Sequence, residues 1–146
     1  MCFKIQSPIT TSKPDITFYE IDYNTVLSEL QSLNLSIMRG GLIDSQYYYT
    51  TLWVIKEAVK YAREVYPLPV YLSEKTDCDD FAILMKGLLS AEFGLNDVGI
   101  VFGDVPGGYH AFNMARAESV FVLIEPQTGD VFNLGERGYV PKEVLI

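Results

Sequence analysis

The hydrophobic pattern changes period once, near Gly94, and that change restricts the chain to a small set of folds. Before it, apolar residues recur at helical spacing. Tyr48, Leu52, Ile55, Val59, Ala62 and Tyr66 alternate steps of four and three, the stripe of an amphipathic helix. Asp44 or Ser45 is the expected cap of that helix and Pro67 its stop. An earlier helix is expected over about 24–35, capped by Asp22 or Asn24, with Val26, Leu30, Leu33 and Ile37 on one face. A third runs from Asp77 or Thr76 to Gly94 and buries Phe81, Leu84, Met85 and Leu88. An edge strand fits Ile16 to Ile21. Beyond Gly94 the residues read as strands: Val98 to Phe102, Tyr109 to Ala115, Val120 to Glu125, then short ones at Val131-Phe132 and Tyr139-Val140. Helices followed by strands imply an α+β domain, with the third helix packed on a C-terminal antiparallel sheet.

Residues 1–15, with Pro8 and Pro14 among Ser, Thr and Lys, read as an N-terminal arm, which leaves 16–146 as one domain. With 146 residues, 49% of them hydrophobic, the chain can bury one core. The formal net charge of -8, with no basic stripe, disfavours nucleic acid and suits a cation or a neutral peptide. No apolar run spans a membrane and the N-terminus lacks a signal-peptide core, so a cytoplasmic protein without membrane contact is expected. Two cysteines, Cys2 and Cys78, make no disulfide framework.

Cys78 falls at the first turn of the third helix, where free N–H groups and the helix dipole stabilise a thiolate. Asp77, Asp79 and Asp80 oppose that effect unless a cation offsets them. A lone cysteine is more often a small buried hydrophobe, so the case depends on a base. The only histidine is His110, which opens a strand after Gly107-Gly108. If Ala117-Glu118 form a two-residue loop, Arg116 pairs with Ser119, Phe112 with Leu123 and Met114 with Phe121. His110 then stands directly opposite Glu125, within hydrogen-bonding reach. Cys78, His110 and Glu125 thus form a candidate nucleophile, base and orienting acid. Asn113 and Asp130 are weaker replacements for the acid. Gly103 to Tyr109, with three glycines, reads as a flexible rim.

Three segments carry a family likeness. Thr76-Asp77-Cys78-Asp79-Asp80-Phe81-Ala82 resembles the nucleophile motif of bacterial transglutaminase-like cysteine peptidases, although Thr76 stands where that motif has Gly. Tyr109-His110-Ala111-Phe112-Asn113 resembles their His-Ala strand, and Ile124-Glu125-Pro126-Gln127-Thr128 the acid-Pro-x-Thr end of the next. Their order is that of the wider papain-like superfamily, and glutamate as the acid is similar to papain-like domains attached to fungal agglutinins. The resemblance covers roughly residues 70–132. It implies a papain-like or transglutaminase-like fold and a cysteine hydrolase or acyltransferase acting on a peptide or protein. No cofactor is implied for that chemistry. It also implies an optional calcium ion on Asp77, Asp79 and Asp80, whose hard oxygens suit that ion. The rival expectation is a non-catalytic papain-like binding or structural module that binds calcium.

Overall fold

The computed structural model describes residues 12–146. Its elements are β1 (Tyr19–Asp22), α1 (Tyr23–Ser32), β2 (Ser36–Ile37), β3 (Gln46–Tyr49), α2 (Leu52–Val65), α3 (Cys78–Phe93), β4 (Val98–Val105), β5 (Gly108–Ala117), β6 (Val120–Glu125), β7 (Asp130–Asn133) and β8 (Val140–Leu145). β1 and β3 form a small antiparallel sheet. The other strands form a six-stranded sheet in the order β2-β8-β4-β5-β6-β7. The class is α+β as expected, but the large sheet is mixed, because the two-residue β2 joins β8 in parallel. A pair that short leaves no alternation to read in the sequence. The first eleven residues of the expected arm lie outside the described residues, and 12–15 carry no regular structure.

Local chemistry explains the helix ends. The Asp22 carboxylate caps α1 by accepting from the Asn24 and Thr25 N–H groups at 2.9 and 3.1 Å. Asp77 and Asp80 form a capping box at the start of α3, and Gly94 closes its end in the left-handed conformation with φ 68°. α2 begins at Leu52, four residues beyond the Tyr48 at which the stripe starts, with Thr51 as its cap in place of Asp44 or Ser45. The run Gln46-Tyr47-Tyr48-Tyr49 is instead strand β3, with Tyr47 fully buried. Aromatic β-propensity overrides a helical spacing that these tyrosines satisfy by coincidence.

Two layers of core flank the large sheet. On one face α2 and α3 bring Ile55, Val59, Met85, Leu89 and Phe93 against Ala115, Val122 and Ile124. On the other, Val26 and Leu30 of α1 join Tyr47, Phe112, Met114, Leu123, Phe132 and Val144. Odd and even residues of β5 thus serve opposite faces, as pleating requires. Asn113, fully buried, ties α3 to the sheet: its amide donates to the Ala82 carbonyl on α3 at 2.8 Å and to that of Gly99 on β4 at 3.1 Å.

The strand register differs from the expected one by two residues. The β5–β6 turn is Glu118-Ser119, so Met114 pairs with Leu123 and Arg116 with Phe121. Gly103 to Tyr109 is no loose rim: β4 continues to Val105, which pairs with Gly108 across Pro106-Gly107. A Cβ at Gly103 would run into the Val140 carbonyl, so only glycine allows β8 to close on β4 beside His110. No helix among the described residues is long and apolar enough to cross a membrane.

Candidate functional site

His110 stands near the start of β5, opposite Gly103 on β4. Its Nε2 lies 2.8 Å from Glu125 Oε2. The contact expected from direct opposition therefore forms, but diagonally across the strand pair. A register shift of two keeps both residues on the same sheet face, and long side chains span the diagonal. Glu125 is nearly buried, at 6% exposure. Its Oε1 accepts from the Gln127 N–H at 3.0 Å, and its Oε2 also accepts from the Tyr139 hydroxyl at 3.0 Å. Burial pushes the carboxyl upward, but the hydrogen bonds from His110, Gln127 and Tyr139 and the His110 charge outweigh it. The net shift is downward.

Tyr139 is the member that pattern reading missed. Burial comes first and the Glu125 charge second in pushing its hydroxyl up to about 12, so it remains a donor at neutral pH. Its ring lies edge-on to His110, Phe112 and Phe132, with centroids 6.3, 5.1 and 5.0 Å away. The imidazole is further stacked on Phe112 at 6.3 Å. The four rings thus pack on one another, and two of them, His110 and Tyr139, hold the buried carboxylate. The signal available in the sequence was only the aromatic Tyr139 beside a short strand.

Cys78 is a free, half-buried thiol at the first position of α3. It packs with Ala82, Ile100 and Ala111, on the side of β5 served by α3. The His110 ring stacks on Phe112, which belongs to the opposite core layer. The neighbours that the thiol gathers at polar distance are Asp77 and Asp79, with one ligand atom from each of the three within 4.8 Å of the others.

Asp77 and Asp79 are in direct carboxyl contact. Sharing a hydrogen bond with Asp77 raises Asp79, helped by burial, while the same bond lowers Asp77. Two carboxylates this close repel one another when both are charged, and a divalent cation between them relieves that. Asp77 Oδ2 also accepts from the Glu74 N–H at 3.0 Å, holding Glu74 at φ 60°. Asp80 does not join the cluster in which the family resemblance placed it. It is exposed, and its Oδ2 takes the Asp77 N–H at 3.2 Å as the return bond of the capping box. The donor set that fits a cation is the Asp77–Asp79 pair, with the soft thiol of Cys78 a poor partner for calcium. The two weaker candidates for the acid lie elsewhere: Asn113 on the α3 face, and Asp130 paired with Arg137 at 2.8 Å.

No family model matches the chain, and no curated protein does. Solved structures do. A PSL1a–E64 complex superposes with a TM-score of 0.69 at 22% identity, over 87% of this chain and 51% of that one. Polyporus squamosus lectin bound to a human-type influenza-binding epitope superposes at 0.64, again at 22% identity, over 87% and 49%. The chain thus spans about half the length of these lectin chains, and at this identity the likeness is one of fold. The neighbours are lectins. That finding overturns the assignment to transglutaminase-like or papain-like cysteine peptidases and the cysteine-hydrolase, enzyme and catalytic-triad readings drawn from it.

Proposed function

We propose that the chain is a non-catalytic binding module that recognises a glycan with the help of a divalent cation, calcium first. The observation that carries this reading is the Asp77–Asp79 carboxyl pair converging at the open start of α3. Calcium takes six to eight oxygens. Two carboxylates leave most of those positions to water or to ligand hydroxyls, which is how a held cation grips vicinal hydroxyls of a sugar. The preceding loop supplies the apolar part of such a surface, since Val70, Tyr71 and Leu72 are 77%, 54% and 52% exposed. Saccharide C–H faces stack on surfaces of that kind. The fold shared with lectin chains is consistent with this role, and a peptide substrate loses its support.

His110, Glu125 and Tyr139 serve this reading as structural residues, whose bonds tie the ends of β5 and β6 to the start of β8. Calorimetry of the whole chain with calcium chloride tests the cation. Binding is expected, weakened at least tenfold by Asp79→Asn, and absence of heat at millimolar calcium in the wild-type chain overturns it. A glycan array probed in calcium and again in chelator tests the ligand. Retention only with calcium is expected, and retention on no glycan in either buffer rejects the glycan.

A further inference from the structure

At the far end of β5 from His110, about 20 Å away along the strand, a second concave site is built around Arg116. Its cavity of about 490 Å³ is lined by Tyr19, Ile21, Glu29, Tyr49, Arg116, Glu118 and Ser119. That is a common size for a small-ligand site. Arg116 is 3% exposed. Its Nη1 contacts Glu29 of α1, and its Nε donates to Asp97 Oδ2 at 2.6 Å. Its guanidinium lies over Phe121 and Tyr49, 4.4 and 5.5 Å from the ring centroids. Nε and Nη1 of this arginine are thus paired with carboxylates, while its buried Nη2 has no hydrogen-bond partner.

What the cavity presents outward is of the other sign. The Glu29 side chain is 40% exposed although anchored by Arg116. Glu118 sits at the exposed tip of the β5–β6 turn, its backbone pinned by a bond from its N–H to the Thr50 carbonyl at 3.0 Å. Tyr19 and Tyr49 stack with centroids 5.4 Å apart, and Tyr19 is 43% exposed. Lys86 adds a second cation behind Asp97, but it is half-buried and its ammonium is engaged with the Val98 carbonyl at 2.6 Å.

We propose that this cavity binds an organic cation, an alkylammonium or guanidinium group, between the Tyr19–Tyr49 stack and the carboxylates of Glu29 and Glu118. Two carboxylates beside an aromatic face are attractive to such a group through both charge and the ring quadrupole. An anion meets both carboxylates first, and a neutral polyol gains no use of the charge. Arg116 acts as a positioning residue: its Nη1 holds Glu29 at the rim, and its Nε is anchored on Asp97 behind it. The proposal is independent of the cation at Asp77 and Asp79, so chelator leaves it unaffected.

The test is a heteronuclear NMR titration of the whole chain with N-acetyl-lysine methylamide, N-acetyl-arginine methylamide and spermidine, and with N-acetyl-norleucine methylamide and lactose as neutral probes. Shifts at Tyr19, Tyr49 and Ser119 are expected with the cations, weakened severalfold on raising salt from 20 to about 200 mM. A response to the amino-acid probes alone assigns the site to a protein side chain, and one to spermidine alone assigns it to free polyamines. Glu29→Gln is expected to weaken binding about tenfold. Because it also frees buried Arg116, the surface variant Glu118→Gln serves as the second reading, with about threefold loss at unchanged stability. Equal shifts with the neutral probes, or no shift with any cation at 20 mM, overturn the proposal.

Discussion

Glu125 accepts three hydrogen bonds in a nearly buried position, and its partners set the pH range of that corner. Its folded-state pKa is depressed, so its contribution to stability is fully present above the unfolded carboxylate pKa. It is lost as pH falls through the folded value. Tyr139 runs the other way. Its hydroxyl titrates at about 12 when folded, against about 10 when unfolded. Stability is therefore retained below about pH 10 and declines as pH rises through 12. Tyr139→Phe is expected to flatten that alkaline decline and to cost about 1.5 kcal/mol at neutral pH, since a hydrogen bond to a charged group is lost. Urea melts at pH 7, 10 and 11.5 check both; an unchanged alkaline slope would show that another group sets it. Asn113 makes a sharper demand. Asn113→Ala removes donors to two buried carbonyls and is expected to cost about 2 kcal/mol in the same melts.

At the level of elements, the β5–β6 hairpin shows both what was legible and why the rest was not. Alternation along 108–125 identifies two strands, and the approximate turn brings His110 to the same face as Glu125. Register could not be read, because the turn residues Glu118-Ser119 are not ones that a tight hairpin favours. Glu118 holds φ 56°, a conformation for which glycine carries no Cβ penalty. Glu118→Gly is therefore expected to stabilise the fold by about 1 kcal/mol, visible as a higher urea midpoint with an unchanged slope. A loss of stability would mean that the carboxylate itself contributes more than the strain costs. The α3 cap and the Gly94 stop were readable because both use local chemistry that needs no tertiary partner. β3 was hidden by tyrosines at helical spacing. Most of β8 was hidden by Pro141, Lys142 and Glu143, which break its alternation.

For the whole molecule, the excess of acidic residues gives a net charge of -8, and two of those carboxyls, Asp77 and Asp79, lie close enough to shift one another in opposite directions. The family motif around Cys78 drew attention to this position for its thiol. The structure shows why the neighbouring carboxyls deserve equal weight, since it is they that converge. The family resemblance placed Asp80 with them; the capping geometry separates it. If a divalent cation binds the folded chain and not the unfolded one, stability must rise with its concentration. At a hundredfold excess over the dissociation constant the gain is about 2.7 kcal/mol, which for a domain of this size is several degrees in Tm. Calcium should produce that shift, and sodium at equal ionic strength should not, because general screening treats both alike. Asp79→Asn should raise Tm without calcium, by ending the carboxyl–carboxyl conflict, and remove the calcium-dependent increment. A calcium shift that survives Asp79→Asn would locate the cation elsewhere on this acidic surface.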